Sequence, residues 1–260
     1  MIGVFGGSGF YDFLDDAREV TVATPYGEPA APYTVGSVGG AEVAFRPRHG
    51  RQHQYPPHLV PYRANMWGMA QLGVDRIIGP SAVGSINFDM EPGHLVVCDQ
   101  LVDRTTGRAS TFFDGPETTH VAFADPYCSE LRPLAVAACR KAGVTVHDGG
   151  TVVVVQGPRF STRSESRFYA AQGWDLLNMT QAPEAVLARE RSICYVTVCV
   201  VTDYDVGVEG EIPPVTHAAV LARFGEAIGD LRAVLSLLIP NAAETPRGCV
   251  CAADPAGGEQ

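Results

Sequence analysis

Two aspartates, Asp203 and Asp205, directly follow the most apolar run of the sequence, residues 194–201. In a strand this spacing places both side chains on one face. Carboxylates accept hydrogen bonds from an exocyclic amine, and a protonated carboxyl group also donates to a ring nitrogen. The pair could therefore hold an aminopurine. A turn at the end of a strand is the alternative explanation, because Asp is common there.

Two loops near the start of the chain carry groups that suit an anion. Residues 6–9, Gly-Gly-Ser-Gly, offer backbone N–H groups and the hydroxyl of Ser8, although a structural turn fits equally well. Residues 46–53 hold three arginines and two histidines in an acidic protein. A guanidinium group matches phosphate oxygens, whereas a solvated charged loop is the alternative. Metal binding by His49 and His53 is not expected, because the sequence places no carboxylate or third histidine nearby.

Two further predicted loops follow apolar runs. Residues 81–85 are Ser-Ala-Val-Gly-Ser, and such small side chains let backbone amides approach a ligand closely. Residues 157–161 include Phe160, whose ring could stack on a flat base, and Ser161. A tight turn and a core phenylalanine are the alternatives. Because ligands of open α/β sheets bind where such loops converge, the four loops together predict one site.

The composition is that of an ordinary globular protein, with 260 residues, 46% of them hydrophobic and 18% charged. The net charge of −10 argues against a nucleic-acid-binding surface, which needs a basic stripe. No apolar run approaches the roughly 20 residues of a membrane span. The first residues lack the pattern of a signal peptide. We therefore expect a cytoplasmic protein without a membrane or nucleic-acid partner.

Seven cysteines are spread over the chain, and none belongs to a Cys-x2-Cys pair with a matching partner. A zinc site is therefore not expected. Cys98, Cys194 and Cys199 lie in apolar runs and are predicted to be core residues. Cys249 and Cys251 lie in a polar C-terminal segment, which predicts exposed thiols open to oxidation. In a reducing cytoplasm all seven should be thiols.

Alternating strand and helix patterns predict an α/β fold with a mostly parallel or mixed sheet flanked by helices. Strands are predicted at residues 2–5, 41–45, 74–78, 95–98, 151–155 and 194–201. Helices are predicted at residues 58–72, 130–142 and 183–191, with a long closing helix over 221–238. No linker divides the chain, so we predict one domain over residues 1–240 and a mobile tail over 241–260.

Nine short motifs, in this order, resemble the trimeric purine nucleoside phosphorylase family, and within it the 5′-methylthioadenosine phosphorylase branch. The resemblance extends over residues 3 to about 240. The motifs are Gly6-Gly7-Ser8-Gly9, Thr24-Pro25-Tyr26-Gly27, Arg48-His49-Gly50, Tyr62-Arg63-Ala64-Asn65, Asp103-Arg104-Thr105, Gly157-Pro158-Arg159-Phe160-Ser161, Asn178-Met179-Thr180, Pro183-Glu184 and Asp203-Tyr204-Asp205.

The resemblance implies a single α/β domain with a mixed, partly barrelled sheet, and a homotrimer. It implies that inorganic phosphate, as co-substrate, cleaves the N-glycosidic bond of a 6-aminopurine nucleoside, 5′-methylthioadenosine above all, with no cofactor and no metal. Negative charge then moves into the leaving purine, and an enzyme gains by stabilising that charge where it develops. Asp203 or Asp205, if protonated, would donate to the purine N7, while the other would accept from the 6-amino group.

The family's remaining site residues carry over onto matching positions of this sequence. The resemblance implies a phosphate site made of Ser8, Arg48, His49, Ser81 and Ala82. It implies a nucleoside site made of Phe160, Ser161, Met179 and Thr180, with Met179 under the ribose, and with His120 reaching into a neighbour's site near the 5′ group.

Two positions bear on the substrate. The 6-oxopurine branch has Asn where Asp203 stands, so Asp here favours 6-aminopurines. His217 falls near a position that is small and apolar in the methylthio branch, whereas a histidine of the 6-oxopurine branch contacts a 5′-hydroxyl there. A histidine on the helix surface is the alternative. Three other functions stay open. They are an adenosine or broad-specificity purine nucleoside phosphorylase, a hydrolytic nucleosidase and a non-catalytic nucleotide-binding protein.

Overall fold

The computed structural model describes residues 1–6, 13–116, 118–206 and 215–253. Thirteen strands and five α-helices alternate along these ranges. The strands are β1 (Ile2–Gly6), β2 (Asp15–Val20), β3 (Tyr33–Val38), β4 (Ala41–Pro47), β5 (Arg76–Ile78), β6 (Ser81–Ser85), β7 (Leu95–Val97), β8 (Gln100–Arg104), β9 (Val146–Asp148), β10 (Thr151–Val155), β11 (Leu176–Asn178), β12 (Cys194–Val196) and β13 (Cys199–Tyr204). The α-helices are α1 (Tyr62–Gln71), α2 (Leu131–Lys141), α3 (Arg163–Ala171), α4 (Gln181–Glu190) and α5 (His217–Glu244), and short 3-10 helices lie at Pro57–Leu59 and Val250–Ala252.

The strands form two mixed sheets. The first has the order β12-β5-β1-β4-β3-β2. Its first four strands run parallel to one another, and β3 pairs antiparallel with both β4 and β2. The second has the order β8-β10-β11-β6-β13-β7-β9, and one of the two sheets curls into a half-barrel. Only two residues separate β5 from β6, and two separate β12 from β13. Two neighbouring strand pairs therefore pass from the first sheet into the second.

Apolar residues of both sheets build the core. Helices α2 and α5 contact each other, and their buried residues form one cluster with side chains of β1, β4 and β12. Helices α1 and α4 contact each other and contribute to a second cluster, which includes Phe5, Ile77 and Tyr195. The β-branched run at residues 151–155 forms β10 as predicted, with its three central valines fully buried. The predicted single-domain α/β fold with a mixed, partly barrelled sheet flanked by helices is confirmed.

Three predicted elements need correction. Residues 81–85, predicted as a loop, form β6, because their backbone pairs with the neighbouring strands β11 and β13 on both sides. The run at 194–201, predicted as one strand, is divided at Thr197 and Val198, where the chain passes between the sheets. The helix predicted from residue 58 begins at Tyr62, directly after Pro61.

The C-terminal segment differs from its prediction as well. Helix α5 continues to Glu244, past the predicted domain end at residue 240. Cys249 and Cys251 are buried, with 9% and 2% of their surface exposed, so the prediction of exposed thiols is wrong. Residues 254–260 lie outside the described part of the chain, and a mobile tail stays a prediction there. Among the described residues, no helix has the length and apolar character that crossing a membrane requires.

Candidate active site

A cavity of about 490 Å³ lies beside β6, β11 and β13, between the loop after β4 and the first turns of α5. This volume is within the usual range for small-molecule sites. Of the thirteen site residues predicted from the sequence, eleven line the cavity, namely Arg48, His49, Ser81, Ala82, Phe160, Ser161, Met179, Thr180, Asp203, Asp205 and His217. Ser8 lies outside the described residues. His120 is exposed and is not part of the cavity wall.

A bulge in β13 and a glycine in β6 position the two aspartates. The parallel pairing of β13 with β6 shifts register between Val201 and Asp203, so that Asp203 lies opposite Gly84. A Cβ atom on Gly84 would lie 3.1 Å from Oδ1 of Asp203 and 3.4 Å from the Cβ of Asp205. Glycine therefore provides the space in which both carboxyl groups reach the cavity. A bulge that re-aims side chains beside a site is a recurrent feature of sheets.

Burial makes both carboxyl groups weaker acids than usual. It raises the pKa of Asp203 to about 6, with a smaller raising effect of Asp205, while a hydrogen bond from the Thr202 hydroxyl (2.7 Å) lowers it. Burial also raises the pKa of Asp205, which is only 4% exposed. Hydrogen bonds from the Ser166 hydroxyl and the Val206 backbone act against that rise. No ion pair found among the described residues includes either aspartate.

Arg48 and Glu184 form a buried ion pair in the same region. Nε and Nη2 of Arg48 donate to the two carboxylate oxygens of Glu184 at 2.6 and 2.8 Å, and Nη1 donates to the carbonyl of Pro80 at 3.2 Å. The hydroxyl of Tyr195 also donates to Glu184, at 2.7 Å. Burial lowers the pKa of Arg48, but the charge and the hydrogen bonds of Glu184 raise it by more. The guanidinium therefore stays charged. These bonds use three of the five N–H donors of the guanidinium.

Three histidine rings stand in a row along one side of the cavity. Nδ1 of His49 lies 2.8 Å from the carbonyl oxygen of Tyr55. Because a carbonyl only accepts, Nδ1 carries the proton, and burial lowers the pKa of His49 to about 3, so the ring is neutral with a free lone pair on Nε2. The His53 ring stacks on His49 with centroids 4.3 Å apart, and the His217 ring lies 5.9 Å from His53.

Part of the cavity wall is apolar. Phe160, 37% exposed, lines the cavity, and so do Val220, Leu221 and Phe224 from the first turns of α5. Gly157 has φ of +61°, and a Cβ atom on it would lie 2.6 Å from Sδ of Met179. Only glycine therefore fits beside Met179 without displacing it.

A single side chain fixes the turn that presents Met179 and Thr180. Oδ1 of Asn178 accepts from the backbone N–H groups of Thr180 (2.7 Å) and Gln181 (2.8 Å) at the start of α4. Its Nδ2 donates to the carbonyl of Ala82 at 3.1 Å. Asn178 therefore ties the turn after β11 to the neighbouring strand β6.

A model of the phosphorylase superfamily matches residues 1–240. The chain belongs to the phosphorylase superfamily. It is 60% identical over 210 residues to the S-methyl-5′-thioadenosine phosphorylase of Mycolicibacterium smegmatis, covering 80% of this chain and 79% of the relative. It is 48% identical over 262 residues to the purine nucleoside phosphorylase of Streptomyces coelicolor, covering 97% and 93%. The solved methylthioadenosine phosphorylase from Schistosoma mansoni in complex with adenine shares the fold with a TM-score of 0.88 at 34% identity, covering 94% and 92%. The resemblance inferred from the nine motifs is confirmed.

In this superfamily member, several site residues escaped the sequence analysis. Ser166 contacts Asp205 from α3, 39 residues away in sequence, and no pattern around it indicates that contact. Thr202 directly precedes the aspartate pair and could have been included. Leu221 and Phe224 follow the apolar spacing that predicts a packing face, but they line the cavity, and Leu221 is 49% exposed.

Proposed function

We propose that the protein cleaves the N-glycosidic bond of 5′-methylthioadenosine with inorganic phosphate, releasing adenine and 5-methylthioribose 1-phosphate. The observation that carries this proposal is the pair Asp203 and Asp205, one half-buried and one buried carboxyl group of raised pKa on the wall of a nucleoside-sized cavity. A protonated carboxyl group can donate to N7 of adenine, and an ionised one can accept from its 6-amino group. Relatives named S-methyl-5′-thioadenosine phosphorylase support the substrate.

The surroundings of the two aspartates suggest which of them donates the proton. Asp205 receives hydrogen bonds from the Ser166 hydroxyl and the Val206 backbone, which favour its ionised form. Asp203 has a pKa of about 6 and one such bond, from Thr202. We assign to Asp203 the hydrogen bond that is donated to N7 as negative charge develops on the leaving purine, and to Asp205 the acceptance from the 6-amino group.

The other end of the cavity would hold the phosphate. Arg48 supplies a positive charge there, and Ser81, Ala82 and Ser8 complete the proposed anion site. His49 has its Nδ1 proton engaged by Tyr55, so its Nε2 would accept from a protonated phosphate oxygen. Phosphate would then attack the anomeric carbon from the face opposite the base, a step that depends mainly on positioning. The proposed reaction gives no role to a cofactor or a catalytic metal.

The nucleoside would lie between these ends. Phe160 and Ser161 would face the purine, and Met179 and Thr180 the ribose. His120, exposed and outside its own chain's cavity, suits a contact with the 5′ group of a neighbouring subunit, in a homotrimer. The seven free thiols fit a reducing cytoplasm, where the enzyme would return adenine to purine salvage.

A second substrate preference has its own support. His217 lines the cavity near its apolar end, and a ring that can hydrogen-bond suits a 5′-hydroxyl better than a thioether. A relative named purine nucleoside phosphorylase points the same way. An adenosine or broad-specificity purine nucleoside phosphorylase is therefore the alternative.

Side-by-side phosphorolysis tests these proposals. Release of free base from methylthioadenosine, adenosine and inosine would be measured with and without phosphate. We expect methylthioadenosine to give the highest kcat/KM and all turnover to require phosphate. Base release at full rate without phosphate would identify a hydrolase instead. Equal efficiency with adenosine would favour the alternative, and tight nucleoside binding without turnover would identify a binding protein.

A further inference from the structure

Four cysteines from three distant parts of the chain meet at one buried point. Cys128 precedes α2, Cys194 begins β12, and Cys249 and Cys251 belong to the segment after α5. All four Sγ atoms lie within 4.8 Å of one another, and all four residues are buried. Sγ of Cys249 lies 3.3 Å from Sγ of Cys194 and 3.6 Å from Sγ of Cys128. None of these cysteines lines the cavity. We call this group the thiol cluster.

The dimensions of the thiol cluster fit one small ion. In a tetrahedral tetrathiolate site with Zn–S bonds of about 2.3 Å, the sulfurs lie about 3.8 Å apart. The distances of 3.3 and 3.6 Å from Sγ of Cys249 to the sulfurs of Cys194 and Cys128 are within about half an ångström of that spacing. Cys249 is close to two other thiols at once, so the sulfurs form one group rather than two separate pairs. The seven cysteines are free thiols in the structure.

The surroundings of the thiol cluster suit negative charge. The backbone N–H of Leu131, at the start of α2, donates to Sγ of Cys128 at 3.4 Å, and the N-terminus of a helix favours an anion. Arg247 carries a buried Nε for which the described residues provide no acceptor. Nη1 of Arg247 lies 3.8 Å from Oδ2 of Asp75, and the carbonyl of Asp75 accepts from the backbone N–H of Cys194. The positive charge of the guanidinium therefore stands beside the strand that carries Cys194.

From this geometry we propose that Cys128, Cys194, Cys249 and Cys251 bind one zinc ion as a structural tetrathiolate site. Four soft sulfur ligands in a tetrahedral arrangement select Zn²⁺ over hard cations such as Mg²⁺. Binding releases the thiol protons to solvent and leaves a complex of net charge −2, which Arg247 and the start of α2 partly neutralise. All four ligand positions belong to the protein, so the ion is closed off from substrate.

The site would fasten the C-terminal segment to the body of the protein. Polar anchors already hold that segment. Among them, the N–H of Gly248 donates to Glu130 at 3.1 Å and the Ser192 hydroxyl donates to the carbonyl of Ala253 at 3.0 Å. A bound ion would link the segment to β12 and to the loop before α2 through metal–thiolate bonds. Metal binding of this kind contributes directly to folding free energy.

The test is the metal content of the purified protein. Wild type, Cys194→Ser and Cys251→Ser would be purified with zinc and a thiol reductant, then dialysed and assayed for zinc. Cys139→Ser is the matched control, because Cys139 is equally buried but lies in α2 outside the cluster. We expect about one zinc per chain in wild type and the control, and less than about a tenth in the two cluster variants.

Two further readouts keep the result independent of folding and turnover. Co²⁺ in place of zinc should give the intense visible absorption of a tetrahedral tetrathiolate site in wild type and Cys139→Ser only. Removing zinc by chelation should lower the Tm of wild type, whereas the Tm of Cys251→Ser should not change. Cys251 lies after α5 and outside the cavity. A wild-type protein without zinc or the cobalt spectrum overturns the proposal, whether its cysteines prove to be free thiols or two disulfides.

Discussion

Two pairs of ionisable side chains in and beside the cavity differ in how their charge is balanced. Arg48 and Glu184 have opposite signs and neutralise each other through two direct hydrogen bonds. Asp203 and Asp205 have the same sign, and the ion pairs among the described residues include neither of them. Burial holds the pKa of both aspartates above the ordinary value. Burial lowers the pKa of Arg48, but Glu184 raises it by more, so the guanidinium stays charged.

This difference separates architecture from chemistry. A matched buried pair holds two chain segments in place, here the loop after β4 and the helix α4, and its charges do not change within the physiological pH range. An unmatched carboxyl group can change its protonation state near neutral pH and so can exchange a proton with a ligand. The predictions below, in order of decreasing effect, test this division of roles.

Breaking the matched pair should cost the most stability. In Glu184→Gln the guanidinium of Arg48 loses its buried counter-charge, and the free energy of unfolding should fall by about 3–5 kcal/mol. Urea denaturation measures it. The control is Glu226→Gln, since Glu226 pairs with Arg223 on the exposed surface of α5 and should matter by less than about 1 kcal/mol. Equal losses in both variants would show that burial adds nothing to the Arg48 pair.

Removing the arginine should affect phosphate use beyond stability. Loss of a charge-assisted anchor in Arg48→Ala should weaken the use of phosphate by about 1.5–3 kcal/mol. The comparison with Glu184→Gln isolates this effect, because both variants break the ion pair but only one lacks the cation. The KM for phosphate, measured on the folded fraction of each, should rise far more in Arg48→Ala. A similar KM in the two variants would place the phosphate anchor elsewhere.

Changing the unmatched pair should redirect specificity. In Asp203→Asn the carboxyl group at N7 becomes an amide, whose two N–H groups can donate to N7 and to the carbonyl of a 6-oxopurine on the same edge of the base. A site that hydrogen-bonds its substrate rejects the wrong partner strongly, so the ratio of adenosine to inosine kcat/KM should fall by about tenfold or more. Asp205→Asn serves as the comparison for the second carboxyl group. An unchanged ratio in Asp203→Asn removes this aspartate from base recognition.

The protonation of Asp203 should also be visible in the pH profile. Its pKa of about 6 means that the protonated, donating form disappears as the pH rises through that value. The kcat/KM for methylthioadenosine should therefore fall above pH of about 6, approaching tenfold per unit. His49, with a pKa of about 3, does not titrate in this window. Asp203→Asn should lack this limb of the profile, and a limb that persists in the variant belongs to another group.

The sequence predicted the elements whose pattern is local. The valine run of β10 and the apolar spacing of α5 were identified because each pattern lies entirely within its own element. Strand β6 was missed, since the small residues at 81–85 resemble a turn until β11 and β13 lie beside them. The thiol cluster was missed for a related reason: a local spacing rule cannot bring Cys128 to Cys194 and Cys249, which only the fold does.

The candidate site divides in the same way. Asp203, Arg48 and Phe160 each follow a predicted strand closely, so their place at a common cavity followed from the topology of an α/β sheet. The partners that set their properties, Ser166 for Asp205 and Tyr195 for Glu184, come from other elements and have no mark in the sequence. The raised pKa values depend on burial, which a single sequence does not specify at the level of one side chain.

The smallest expected effect concerns His217, at the start of α5. Its ring lies 5.9 Å from that of His53, and it shares the cavity wall with Val220 and Leu221. In His217→Val the wall becomes more apolar, which should favour a methylthio group by about 1 kcal/mol per methyl-sized unit, while a 5′-hydroxyl loses a hydrogen-bonding partner. The ratio of methylthioadenosine to adenosine kcat/KM should therefore rise about fivefold. His147→Val, outside the cavity, is the control and should leave the ratio unchanged. If His217→Val changes both substrates by one common factor, His217 is a surface residue of the helix and the 5′ group is selected by other side chains.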